Sequence, residues 1–290
     1  MSIILDGKLV RQRILDSLKP RVDALIQSHR APGLAVVLVG HDPGSEVYVR
    51  NKIKACAELG IYSEKITPPE TITTAELLAI VDSLNKRPDI DGILVQMPLP
   101  KQVDSRAVLE AVAPDKDADG FHPTNVGHLV ADRPGPRACT PAGVMELLRQ
   151  YEIQVAGKHA VVIGRSDIVG KPMALMLLHA NATVTICHSR TSNLAEVCRG
   201  AEILVAAIGR AAYVRREFIK PGAVVIDVGM NRVPDQSAAS GTRLIGDVAP
   251  IAMAELSSYY TPVPGGVGPL TIAMLMSNTV ALAELGSRHR

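Results

Sequence analysis

The sequence has no tryptophan and two phenylalanines in 290 residues. Rings on which single-stranded nucleic acid would stack are therefore scarce, and no nucleic-acid partner is expected. The four cysteines (Cys56, Cys139, Cys187 and Cys198) show no Cys-x-x-Cys spacing. They read as reduced thiols of a cytoplasmic protein, not as a disulfide framework. The eight histidines include no His-x-x-x-His pair, so no metal site is expected. Charge of one sign is lacking too: the net value is +2, which speaks against a broad polyanion-binding surface. No apolar run reads as long enough to span a bilayer, and the opening Met1-Ser2-Ile3-Ile4-Leu5-Asp6-Gly7 lacks the cationic start and apolar core of a secretory leader. No membrane partner is expected.

What is present is a globular composition, 47% hydrophobic and 21% charged, on a chain long enough for one large or two medium domains. The most informative stretch is Val161-Val162-Ile163-Gly164-Arg165-Ser166-Asp167-Ile168-Val169-Gly170-Lys171-Pro172. An apolar strand ends at a glycine, and a second glycine opens an apolar helix over 173–179. Such a turn aims backbone N–H groups and the positive end of a helix dipole at one point, which suits a phosphate. The match to the Gly-x-Gly-x-x-Gly fingerprint is incomplete, because Ser166 replaces the second glycine and Gly170 stands at the third. An ordinary strand–helix turn has the same local pattern. The next strand, 183–187, ends at His188-Ser189-Arg190-Thr191 with no acid for ribose hydroxyls. Ser189, Arg190 and Arg165 would instead accept a ribose phosphate, which points to NADP.

In chain order, apolar spacing predicts a helix over 7–28 interrupted or kinked at Pro20, a strand over 34–39, and a helix over 45–59 capped by Ser45. A short strand over 63–66, a helix from Thr73 or Thr74, a strand over 90–96 and a helix over 103–112 follow. Two turn-rich segments, 114–123 and 134–141, flank a domain junction, after which Thr140 caps a helix over 141–150. The apolar runs 203–207 and 224–228 end at glycines and read as parallel strands buried on both faces, whose carboxyl ends hold ligands. A short strand over 244–248 and a closing helix over 270–285 complete the pattern. The expected fold class is α/β. It comprises an N-terminal domain over 1–138, a Rossmann-type parallel sheet over 139–269, and a closing segment 270–290 packed back on the first domain.

The first half collects Tyr48 and Lys52, four apart and so on one helix face, Gln96 at a strand end, and Asp119 in an acidic loop. A lysine beside apolar groups can work as an acid or base near neutral pH. A carboxylate in a cleft can accept two parallel hydrogen bonds from an amidine-like ring edge. Each residue also has a plainer reading: a partly core tyrosine, a solvated helix lysine, a turn-capping aspartate.

Six stretches resemble the bifunctional methylenetetrahydrofolate dehydrogenase/methenyltetrahydrofolate cyclohydrolase family, in that family's order and over nearly the whole chain. They are Ser45-Glu46-Val47-Tyr48-Val49-Arg50-Asn51-Lys52, Gly92-Ile93-Leu94-Val95-Gln96-Met97-Pro98-Leu99-Pro100, Pro114-Asp115-Lys116-Asp117-Ala118-Asp119-Gly120-Phe121-His122-Pro123, Cys139-Thr140-Pro141, the stretch from Gly164 to Pro172, and Pro262-Val263-Pro264-Gly265-Gly266-Val267-Gly268-Pro269. The resemblance implies a homodimer of two-domain subunits with folate between the domains. It implies that Lys52 is the catalytic acid/base, that Tyr48 lies along the aminobenzoyl ring, that Gln96 supports the lysine, and that Asp119 holds the pterin. Pro264, Gly265 and Gly266 would also meet the substrate. Gly164, Arg165, Ser166, Ser189, Arg190 and Met230 would contact NADP. The implied reactions are NADP-dependent oxidation of methylene- to methenyl-tetrahydrofolate, then hydrolysis to formyl-tetrahydrofolate. Departures are small: Met97, Met230 and Leu270 are near-isosteric swaps, and Gly246-Asp247-Val248-Ala249-Pro250 lacks the acid and aromatic often found after the valine. Two other classes share the second half. One is an NADP oxidoreductase acting on a small carbonyl or amino acid, and the other is a dinucleotide-binding protein without turnover.

Overall fold

The computed structural model describes residues 2–238 and 241–288, so the closing segment 270–290 runs past the described residues at its last two positions. The chain forms two compact units, Arg13–Cys139 with Ile272–Arg290, and Met1–Gln12 with Thr140–Thr271.

The first unit is built on a three-stranded parallel sheet in the order Tyr62–Ile66, Gly33–Val37, Gly92–Val95. The central strand and Gly92–Val95 are buried along their whole lengths, as expected of parallel strands covered on both faces. Their apolar residues join Leu77, Val81, Leu84, Val103 and Val108 in one core. The expected helix from Ser45 begins earlier, as Pro43–Leu59. Pro43 takes the first helical turn, where its missing N–H costs nothing, so the cap falls to Asp42, whose carboxylate accepts the Ser45 N–H at 2.7 Å. Gly60 ends the helix in the left-handed conformation. Helix Thr74–Asn85 is opened by a reciprocal capping box between Thr73 and Glu76. Helix Gly7–Ser28 runs through Pro20 as one element. A helix at Pro123–Val130 stands between the two turn-rich segments, where no element was read from the sequence.

Helix Val267–Arg288 contains one stretch, Val267–Ser287, long and apolar enough by length and composition to cross a membrane. That is more than single apolar runs suggested. Within its unit, the helix buries Met276 and Val280, and its Glu284 accepts two parallel hydrogen bonds from one guanidinium edge of Arg21, from Nε at 2.8 Å and Nη2 at 2.7 Å.

The second unit holds a six-stranded parallel sheet in the order Ile3–Ile4, Tyr259–Tyr260, Val224–Asp227, Ile203–Ala206, His159–Ile163, Thr183–Cys187. From His159–Ile163 the chain adds one strand to one side, then returns to lay Ile203–Ala206 on the other. The strand order therefore reverses between these two neighbours. In open parallel sheets that is where a crevice opens at the carboxyl ends. The expected strand over 244–248 lies instead at Thr242–Ile245. It pairs antiparallel with Asn231–Pro234 in a separate two-stranded sheet. Thr140 lies inside helix Cys139–Gln150 and does not cap it; its hydroxyl meets that of Thr271 at 2.9 Å.

Thr73→Ala removes the hydroxyl that accepts the Glu76 N–H and donates to the Glu76 carboxylate on an exposed helix end, leaving only the backbone half of the capping box, so it is expected to lower unfolding stability by about 1 kcal/mol in a urea titration.

Candidate functional site

Lys52 projects from helix Pro43–Leu59 and is 8% exposed. Its Nζ donates to Gln96 Oε1 at 3.0 Å. Gln96 stands just past strand Gly92–Val95, held there by its N–H on Val37 O at 2.8 Å. The glutamine amide is itself oriented, because Nε2 donates to Met97 O at 2.7 Å and leaves Oε1 for the lysine. Tyr48, one turn before Lys52, stays 37% exposed and able to present its ring to a ligand.

Asp119 joins this group through a folded acidic loop. Ile93 N–H bonds Lys116 O at 2.7 Å, stitching the loop to the strand that leads to Gln96. Buried Asp117 then turns the loop: its Oδ1 accepts Gly120 N–H at 3.0 Å, and its Oδ2 accepts His122 N–H at 2.8 Å and Asn125 Nδ2 at 2.9 Å. Gly120 takes φ +74, and a Cβ there would lie 2.4 Å from Arg137 C. From the helix Val267–Arg288, Asn278 Nδ2 donates to Ala118 O and Arg137 O, both at 2.9 Å. The turn-capping role weighed for Asp119 thus belongs to Asp117. Asp119 is half-buried as a residue and is left out of the turn's hydrogen bonds to Asp117. Desolvation pushes its pKa up to about 6; the Lys52 charge pulls the other way, and Asp117 adds a further upward push. Cys139 is buried within electrostatic reach of Asp119 and Lys52, and burial holds its thiol well above the usual range. An acid and an ammonium set in a desolvated surrounding can orient a polar ring and move a proton.

In the other unit, Gly164 follows strand His159–Ile163 at φ +132, and a Cβ there would lie 2.2 Å from Ala207 O. Gly170 packs on the same turn, its Cβ position 2.3 Å from Gly164 O. These are the close approaches that the fingerprint glycines provide. Ser166, at the missing glycine, uses its hydroxyl oxygen to accept the N–H groups of Val169 and Gly170 at 3.2 and 3.3 Å. Its hydroxyl hydrogen stays available as a donor. Arg165, Ser189 and Arg190 are exposed at the ends of adjacent strands, as a phosphate-bearing ribose would need, and Met230 is 42% exposed. The loop with Pro264, Gly265 and Gly266 is in this same unit, apart in the chain division from Lys52, and is closed by Gly266 N–H on Pro262 O at 2.8 Å. Gly265 O accepts Gly7 N–H at 3.0 Å.

Sequence reasoning passed over Asp117, Asn125, Asn278, Asp227 and Asp247. One of the acids carried a signal: Asp227 closes an apolar strand, where an ionisable side chain calls for a partner.

The chain matches the family models described as "Tetrahydrofolate dehydrogenase/cyclohydrolase, catalytic domain" over residues 5–119 and "Tetrahydrofolate dehydrogenase/cyclohydrolase, NAD(P)-binding domain" over 138–287. It is 63% identical over 300 residues to the bifunctional protein FolD of Solibacter usitatus, covering 98% of each chain. Among solved structures it is similar to the bifunctional dehydrogenase/cyclohydrolase of Campylobacter jejuni (46% identity, TM-score 0.94, covering 98% of this chain and 99% of that one). It is also similar to the Trypanosoma brucei enzyme complexed with NADP cofactor and inhibitor (40% identity, TM-score 0.94, 99% of each chain).

The raised Asp119 pKa has a stability consequence. Its folded value, about 6, lies above the ordinary 3.8, so the native state binds the proton more readily and the cost of ionising it is fully present above pH 6. Asp119→Asn is therefore expected to raise the thermal midpoint relative to wild type at pH 8, with the gain shrinking as pH falls through 6 toward 4. Paired thermal melts across that range check this.

Proposed function

The chain belongs to the tetrahydrofolate dehydrogenase/cyclohydrolase family, and we propose that it oxidises 5,10-methylenetetrahydrofolate to 5,10-methenyltetrahydrofolate with NADP and hydrolyses the product to 10-formyltetrahydrofolate. The observation that carries this reading is the Lys52–Gln96 hydrogen bond, with Asp119 in electrostatic range of the same ammonium. A simple NADP oxidoreductase has no need of that set, nor has a dinucleotide sensor.

The roles follow from the geometry. Lys52 spends one of its three hydrogens on Gln96 and has donors left for a folate nitrogen and for water. Asp119, when ionised, accepts paired N–H groups from the pterin ring edge, and Tyr48 lies along the aminobenzoyl ring. Pro264, Gly265 and Gly266 form part of the substrate wall. In the second reaction water adds to the methenyl carbon and gives up both of its protons, one as it adds and one as the carbonyl forms; the bond from that carbon to N5 breaks, N5 takes one proton and the other leaves to solvent. Lys52 handles these transfers, with Gln96 holding it in place.

NADP, when bound, supplies the hydride acceptor for the first reaction. Gly164, Arg165, Ser166, Ser189, Arg190 and Met230 hold it. The close packing at Gly164 and Gly170 fits a pyrophosphate at a helix start, and the two arginines with Ser189 favour the extra phosphate of NADP over NAD. The protein works as a homodimer in the cytoplasm, without nucleic-acid or membrane partners; this part rests on the family resemblance and on four buried free cysteines.

Lys52→Met is expected to slow hydrolysis of added methenyltetrahydrofolate by about a hundred-fold or more, read as its decay above the buffer rate. Full retained activity would remove Lys52 from the mechanism. Arg190→Ala is expected to weaken NADP binding about ten-fold while leaving NAD binding nearly unchanged, measured by direct titration of both.

A further inference from the structure

Two carboxylates, Asp227 and Asp247, are buried at the carboxyl ends of the six-stranded sheet, 1% and 0% exposed. Asp247 accepts four hydrogen bonds. Its Oδ2 takes the N–H groups of Ile208 and Gly209 at 2.7 and 2.9 Å, and its Oδ1 takes Arg210 N–H at 2.8 Å and Asn231 Nδ2 at 2.9 Å. Three of these donors are consecutive peptides of the loop that follows strand Ile203–Ala206. The carboxylate is in turn held by Asp227, whose Oδ1 accepts Asp247 N–H at 2.8 Å and Gly229 N–H at 2.9 Å, and whose Oδ2 accepts Val248 N–H at 2.9 Å. No side chain fits beside them: a Cβ on Gly229 would lie 2.3 Å from Asp247 Oδ1, and one on Gly246 would lie 1.8 Å from Asp227 Oδ2.

This loop is one wall of the place where the strand order reverses. In a trans peptide the N–H and the preceding C=O point in opposite directions. Turning the N–H groups of Ile208, Gly209 and Arg210 onto Asp247 therefore turns the carbonyls of Ala207, Ile208 and Gly209 away from it. The first of these reaches the other wall: Ala207 O is 2.2 Å from where a Gly164 Cβ would stand. The far end of the loop is anchored by the Arg210 guanidinium, 4.4 Å over the Tyr213 ring.

We propose that Asp247 is a positioning residue of the dinucleotide site, holding the carbonyls of Ala207, Ile208 and Gly209 toward the crevice beside Gly164 as acceptors for the dinucleotide's N–H and O–H groups. Asp247 itself does not touch the ligand; it acts through the loop. This rests on the dinucleotide reading of the six-stranded sheet given above.

The test is direct titration of NADP against wild type, Asp247→Asn and Asn231→Ala. Asparagine puts an NH2 group where N–H donors must be accepted, so at least one loop peptide turns. The expected result is an NADP Kd raised about ten-fold in Asp247→Asn and two- to three-fold in Asn231→Ala. Hydrolysis of methenyltetrahydrofolate consumes no dinucleotide, and the proposal expects it to fall much less than NADP affinity, whereas a general packing defect would lower both in parallel. A folded Asp247→Asn protein with wild-type Kd, or parallel loss of both properties, overturns the proposal. If Asp247→Asn does not fold, Asn231→Ala decides alone, and an unchanged Kd there overturns it. Wild-type protein that fails to bind NADP would overturn the dinucleotide reading itself, a separate and recognisable outcome.

Discussion

A buried carboxylate is tolerated only when its oxygens are matched by donors, and this constraint organises both halves of the molecule. Asp117 turns the acidic loop of one unit; in the other, Asp227 ends a parallel strand and Asp247 receives the loop that follows another, and all three take in backbone N–H groups. A loop leaving a strand has no ladder to satisfy its backbone. Here that need is met by a buried acid, from within the loop for Asp117 and from a distant segment for Asp247, so each loop has one shape. The side chains and carbonyls that face a ligand inherit their positions from it.

The acids differ in what they are left to do. Asp117 is used up by three hydrogen bonds and is structural. Two residues later, half-buried Asp119 has a nearby ammonium and a pKa raised to about 6 by desolvation, so it is strained electrostatically where it stands. Such a group costs stability and is relieved by a ligand that donates to it, the usual signature of a recognition site rather than a scaffold. Lys52 is prepared in the same way, since the amide that receives its hydrogen is itself locked by Met97 O. Preorganisation of this kind lets a proton be moved without first rearranging the groups that move it.

The dinucleotide half shows how an incomplete motif can still be a complete structure. Ser166 departs from the fingerprint, yet its hydroxyl takes two N–H groups of the helix start. The glycines that remain, Gly164 and Gly170, are the two whose Cβ positions are already filled by backbone. What the motif demands is space and N–H direction, and a small hydroxyl residue meets both.

The linear order of residues was enough to find the longer parallel strands, because apolar, β-branched runs bounded by turn residues have few other uses, but not the two-residue strands Ile3–Ile4 and Tyr259–Tyr260 at the sheet's edge. It also singled out Tyr48, Lys52, Gln96 and Asp119, because their stretches match a family in order. Helix boundaries were less legible: Asp42 rather than Ser45 caps its helix, since Pro43 can start a turn without an N–H. The short Pro123–Val130 helix, lying between two turn-rich segments, was not read at all, and the strand at Thr242–Ile245 was read as 244–248 and without its antiparallel partner. The partners of the buried acids could not be assigned from sequence, even where Asp227 at the end of an apolar strand signalled that one was needed. Asp247 lies 37 to 39 residues from the loop it holds, and no periodicity links them. The sequence by itself therefore determined which chemistry the chain can perform, because that depends on side-chain types in local patterns. Only the tertiary structure decided which acid is spent on a turn and which is left for a ligand, because that depends on donors arriving from distant segments.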